Sequence, residues 1–121
     1  MGKKVLIVED YADTRNMMRF LLQRLGFEVF EAADGQEAVD QARKSLPDLI
    51  LMDISLPVID GLAATQLIRK LDGFAAIPII AVTAYGKSYY RQAIEAGCDD
   101  LINKPLDFDK LEPLLNQYLS A

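Results

Sequence analysis

The chain has 121 residues, 51% of them apolar and 26% charged, and its 13 basic and 18 acidic side chains give a formal net charge of -5. That length suits one domain with its own core, taken as residues 1–121; a single cysteine excludes an internal disulfide, and the absence of histidine leaves a zinc site almost without ligands. Basic residues scattered through an acidic chain argue against direct nucleic-acid binding, and no run has the roughly 18–20 apolar residues of a membrane span or the core of a signal peptide, so a cytoplasmic protein with no membrane insertion is expected.

Lys4-Val-Leu-Ile-Val-Glu9 is a short β-branched run bounded by charge, which reads as a strand buried on both faces. Met18, Leu21, Leu22 and Leu25 follow at helical spacing, and Gly26 stands where that helix should stop. Phe27 to Ala32 alternates as a second strand. Asp34, with Glu37 three residues on, starts a second helix that points Val39, Ala42 and Leu46 inward and is broken by Pro47. Asp48 to Asp53 sets four apolar residues between two acids and is the clearest buried strand. Leu56-Pro57 through Asp60-Gly61 forms a turn, and Leu62 to Leu71 a third helix. Ile77 to Val82 is the fourth strand, Tyr90, Ala93, Ile94 and Gly97 the stripe of a fourth helix, and Asp100 to Asn103 a short fifth strand. Leu111, Leu114, Leu115 and Tyr118 face inward from the last helix.

Strict alternation of apolar strands and amphipathic helices predicts an α/β fold, a (βα)5 doubly wound five-stranded parallel sheet of the flavodoxin-like order 2-1-3-4-5. Ligands of such sheets bind at the carboxyl ends of the strands beside the switch point, here between strands 1 and 3. The strand exits carry Glu9-Asp10, Asp53-Ile-Ser55, Thr83-Ala84-Tyr85 and Asn103-Lys104-Pro105, so three carboxylates should meet one hydroxyl and one ammonium. A flavin or dinucleotide would want glycines or hydroxyls after strand 1, and an acidic pair repels its phosphates. Clustered carboxylates instead suit a hard divalent cation such as Mg2+. With the cation in place, a phosphoryl group between it and Lys104 is neutralised, and a carboxylate can accept that group as an acyl phosphate. Singly, these residues have plainer roles, as turn acids, a strand threonine bonding locally and a surface lysine. Their conjunction at four strand ends carries the reading.

The segments Val5-Leu-Ile-Val-Glu-Asp10, Asp48-Leu-Ile-Leu-Met-Asp53, Leu56-Pro57 with Asp60-Gly61, Ala81-Val-Thr-Ala84, Ala96-Gly97 and Lys104-Pro105 resemble the receiver domain of bacterial two-component response regulators. The resemblance covers essentially the whole chain, and with nothing after the last helix it is to the stand-alone chemotaxis or cell-cycle kind, without an output domain. It implies that Asp53 takes a phosphoryl group from a phosphohistidine on a histidine kinase or histidine phosphotransfer protein. Asp10 and Asp53 would ligate magnesium, with Glu9 assisting through water and the Ser55 carbonyl completing the set. Lys104 would bind one phosphoryl oxygen, Thr83 would close on another with the Ala84 N–H nearby, and the Lys104–Pro105 bond would be cis. Self-phosphorylation and slow autodephosphorylation are expected, not enzymatic turnover of a free substrate.

The output would be a changed surface on helix 4, strand 5 and helix 5, including Tyr85, Tyr89, Leu101 and Pro105, offered to a downstream protein or to a weak homodimer. One departure stands out: the family usually has Tyr or Phe where this chain has Leu101, and Tyr85, Tyr89 and Tyr90 offer another aromatic on that surface. Two other readings stay open. One is a receiver-fold interaction module whose phosphorylation is weak or uncoupled because of Leu101. The other is an aspartyl phosphatase of the haloacid dehalogenase type, against which stands Ser55, where a second acid would be needed. Arg15 and Arg19, one turn apart, form a candidate partner-facing pair.

Overall fold

The computed structural model describes residues 2–119. Five parallel strands, β1 (Lys4–Val8), β2 (Glu28–Ala32), β3 (Leu49–Asp53), β4 (Ile79–Thr83) and β5 (Asp100–Asn103), lie in the order β2-β1-β3-β4-β5. The helices are α1 (Ala12–Arg24), α2 (Gly35–Ser45), α3 (Gly61–Arg69), α4 (Tyr90–Ala96) and α5 (Phe108–Leu119), with a short 3-10 helix, Gly86–Tyr89, ahead of α4. This is the doubly wound sheet that the alternation of patterns predicts.

Because successive strand residues face opposite sides, the sheet divides the interior in two. Leu6, Val8, Ile50, Met52, Ile79 and Ala81 pack against Ala38 and Ala42 of α2, Ala64 and Ile68 of α3 and Ala93 of α4. Val5, Ile7, Leu49, Leu51, Ile80 and Val82 pack against Met18 and Leu22 of α1 and Leu111 and Leu115 of α5. Every residue of β3 and β4 is buried, which is why both runs are almost wholly apolar.

Local signals set the helix ends. Asp34 accepts from Glu37 N at 2.8 Å while Glu37 Oε1 accepts from Ala33 N at 3.2 Å, so the start of α2 is tied from both sides. Asp60 accepts from Ala63 N at 2.8 Å and starts α3 at Gly61, where a Cβ would strike the Asp53 carbonyl. Glycine at 61 therefore lets the first turn of α3 close onto the end of β3. Gly26, at φ +92°, follows the end of α1.

Four expectations are corrected. Leu46 does not point inward: α2 ends at Ser45, and Leu46 takes the left-handed conformation at φ +50°, leaving its side chain 63% exposed. Tyr90 and Ile94 are exposed as well, because α4 begins only after the 3-10 helix and buries just Ala93 and Ala96. β4 begins at Ile79, since Ile77 and Pro78 lie ahead of its ladder, and α3 ends at Arg69, short of Leu71.

Candidate functional site

The carboxyl ends of β1, β3, β4 and β5 open at one end of the sheet. Glu9 leaves β1 with its N–H donating to Ala32 O at 3.0 Å, which turns the side chain into the protein, where it is 1% exposed. Its Oε2 accepts from Tyr11 N at 3.0 Å. Asp10, the next residue, is exposed at the rim. Asp53 ends β3 and is 3% exposed; Oδ1 accepts from Ser55 N at 2.9 Å and Oδ2 from Lys104 Nζ at 2.7 Å. Glu9, Asp10 and Asp53 each place one carboxylate oxygen within 4.8 Å of the others.

Lys104 is positioned by its backbone, whose N–H donates to Thr83 O at 2.7 Å, just before the cis bond to Pro105. Its Nζ lies 2.7 Å from both Glu9 Oε1 and Asp53 Oδ2. Partial burial by itself pulls the ammonium's pKa down, but the hydrogen bond to Asp53 and the negative charges of Asp53 and Glu9 outweigh it and hold the pKa above the ordinary lysine value. The group thus stays charged at neutral pH. Asp53 receives a well-aligned hydrogen bond from it. Glu9 Oε1, although equally near, is buried and meets the ammonium as an ion pair, with no aligned hydrogen bond among the described residues.

One ammonium therefore faces three carboxylates, two of them buried. All the donors are hard oxygens, and one buried oxygen, Glu9 Oε1, has the ion pair with Lys104 but no aligned hydrogen bond among the described residues. That set fits a hard divalent cation and suits neither a thiophilic metal nor a bare anion.

Ser55 itself is exposed, and what it gives the cluster here is its N–H. The Thr83 hydroxyl, 1% exposed at the end of β4, accepts from Tyr85 N at 3.0 Å. Ala84 is exposed beside it. The Tyr85 ring is 59% exposed and meets Tyr89 at a centroid distance of 5.8 Å and a tilt of 57°. Tyr89 and Leu101 are both half-buried and pack on the same core face. Pro105 is exposed. Residue-type reasoning missed two groups, the Tyr11 amide on Glu9 and the Arg15 guanidinium, whose Nη1 donates to Glu9 O at 2.8 Å. An amide has no residue-type signal, and Arg15 reads as an ordinary surface cation until the loop is folded.

Residues 5–116 match the family model for the response regulator receiver domain. The chain is 38% identical over 120 residues, 98% of each chain, to the polar-differentiation response regulator DivK of Brucella anthropi. The receiver domain of a sensor histidine kinase of Pseudomonas aeruginosa, whose crystal structure has magnesium coordinated in the active-site cleft, matches with a TM-score of 0.92, 34% identity and 100% of both chains covered. A co-crystal structure of the Saccharomyces cerevisiae histidine phosphotransfer protein Ypd1 with the receiver domain of its downstream response regulator Ssk1 matches with a TM-score of 0.86 and 30% identity, over 97% of this chain and 88% of that one. With its sheet order, its acidic cluster and a match that runs from β1 into α5, the chain belongs to the response regulator receiver domain family and works in two-component phosphorelay signalling.

Proposed function

We propose that Asp53 is the phosphoacceptor of this chain, that Mg2+ is its cation, and that the donor is a phosphohistidine on a histidine kinase or a histidine phosphotransfer protein. The observation that carries this is the Asp53 carboxylate, at a strand end with one oxygen on Lys104 Nζ at 2.7 Å and the other on Ser55 N at 2.9 Å, inside a cluster of three acids. The Pseudomonas relative with magnesium in its cleft and the yeast receiver crystallised with a phosphotransfer protein support the reading.

In the transfer, a carboxylate oxygen of Asp53 bonds to phosphorus as the phosphorus–nitrogen bond to the imidazole breaks, and the imidazole takes a proton from solvent. Asp10 and Asp53 would hold the cation, with Glu9 behind them and the Ser55 carbonyl beside them; when bound, it neutralises charge on the phosphoryl oxygens. Lys104 would exchange its contact with Asp53 for a phosphoryl oxygen. Ser55 N–H holds the acceptor in line. The Thr83 hydroxyl, which accepts from Tyr85 N, still has its own proton to donate to another phosphoryl oxygen, with the Ala84 N–H nearby. Phosphorylation is thereby linked to the loop that carries Tyr85 into the 3-10 helix and α4, and the output is a changed α4–β5–α5 surface for a downstream protein or a second copy. The chain acts in the cytoplasm as a switch, not as an enzyme on free substrates; Ser55 stands where an aspartyl phosphatase would need its second acid.

The test is transfer from a phosphorylated histidine phosphotransfer protein, followed by loss of label from the donor. Label should move to the wild-type chain only with Mg2+ present, and Asp53→Asn should receive none. Transfer to Asp53→Asn at the wild-type rate would reject Asp53.

A further inference from the structure

Arg15 and Arg19 are not free charges on an open face. Arg19 Nη1 donates to both oxygens of Glu31, at 3.3 and 3.1 Å, and Arg15 Nε lies 3.4 Å from Glu31 Oε1. The Arg15 side chain is 20% exposed, and its Nη1 also donates to the main-chain carbonyl of Glu9 at 2.8 Å. Glu31 stands opposite Ile7 in the β1–β2 ladder. One guanidinium thus joins α1, β2 and the loop leaving β1.

The carbonyl it holds is the one between Glu9 and Asp10, the two acids of that loop. The Glu9 amide is fixed on Ala32 O and its Oε2 by Tyr11 N, so the carbonyl completes the anchoring of this residue. Ligands offered from a loop bind a cation only as well as the loop holds its shape, and outer partners that fix ligands are typically worth about 10–100-fold in metal affinity. We propose that Arg15 is a positioning residue for the acidic cluster: its bond to the Glu9 carbonyl fixes the loop that presents Glu9 and Asp10 and so raises the affinity for a divalent cation. This rests on reading Glu9, Asp10 and Asp53 as a cation site. Charge and position here act in opposite directions. By Coulomb repulsion alone, deleting a guanidinium beside an acidic cluster would tighten cation binding, whereas deleting a tether loosens it.

The experiment is calorimetric titration of Mg2+ into the full chain, paired with amide hydrogen exchange on the metal-free protein. Arg15→Ala should weaken Mg2+ binding by about 10-fold and speed exchange at the Tyr11 amide, while exchange at Leu22, in the core of the same helix, stays as in the wild type. Arg19→Ala, which cuts only the outer contact with Glu31, should keep wild-type affinity. Arg15→Lys, which retains a donor, should recover part of the loss and serves as the test variant if Arg15→Ala does not fold. Unchanged or tighter Mg2+ binding, with Tyr11 exchange unchanged, overturns the proposal. A wild-type chain that takes up no Mg2+ overturns the cation reading instead, and Tyr11 exchange then decides separately whether Arg15 fixes the loop.

Discussion

Lys104 is the residue on which the charge balance of the site depends. Its ammonium is the cation in contact with Glu9 and Asp53, both nearly fully buried. Lys104→Ala leaves two buried carboxylates uncompensated, a loss of several kcal/mol for a deeply buried pair. With the lysine 26% exposed, we expect about 2 kcal/mol in metal-free urea unfolding, much of it regained on adding Mg2+. A variant as stable as the wild type without metal would contradict this balance. Leu46 makes a prediction of opposite sign. It is a non-glycine residue at φ +50° whose side chain is 63% exposed, so it bears left-handed strain with little burial in return. Leu46→Gly should stabilise the chain by about 0.5–1 kcal/mol in the same measurement. Both residues also show what a sequence can disclose. Asp53 and Lys104 were legible because residue type and strand-end position coincide. Leu46 was misread because helical periodicity was carried up to Pro47, whereas the residue before a proline is disfavoured in the helical region and α2 ends at Ser45.

At the scale of elements, α4 is the shortest α-helix among the described residues. It is a seven-residue helix with two buried residues, entered through a 3-10 turn whose boundary residues Tyr85 and Tyr89 make no side-chain cap bonds. Its other end is tied down. Arg69, at the end of α3, donates to Gly97 O from Nε and Nη2 at 2.8 and 2.6 Å, and to Phe74 O and Ile77 O from Nη1 at 2.9 and 2.6 Å. Asp99 accepts from both Arg69 Nη2 and Ile79 N at 2.9 Å. One ion pair thus satisfies the carbonyls and amide where α3, α4 and β4 meet. Arg69→Ala strands those acceptors and should cost about 3 kcal/mol, with amide exchange rising first at Cys98 and Ile79; a change below about 0.5 kcal/mol, the range of an ordinary surface substitution, would contradict it. In the wild type, exchange should be faster across 86–90 than across 96–98. Sequence periodicity placed a helix here with Ala93 rightly on its inner stripe, but Tyr90 and Ile94 lie outward and Ala96 takes the second inward place.

Across the whole molecule, the fold was legible nearly complete. Five short apolar runs alternating with helical stripes leave few ways to cover a parallel sheet, and right-handed crossovers reduce them further. The order β2-β1-β3-β4-β5 then brings the adjacent pair Glu9 and Asp10 together with Asp53, 43 positions beyond Asp10 in sequence. What pattern could not supply were contacts decided by loop geometry: the Arg15 bond to the Glu9 carbonyl, the Tyr11 amide and the hydrogen bond between Tyr85 N and the Thr83 hydroxyl. The account stands on Asp53 as the atom source of the phosphoryl linkage. The most direct measurement is intact-mass analysis, with peptide mapping, of the chain incubated with Mg2+ and a small acyl phosphate. One added phosphoryl group located at Asp53, absent with a metal chelator and absent in Asp53→Asn, is the expected result. An adduct on another residue, or none with Mg2+ present, would contradict it.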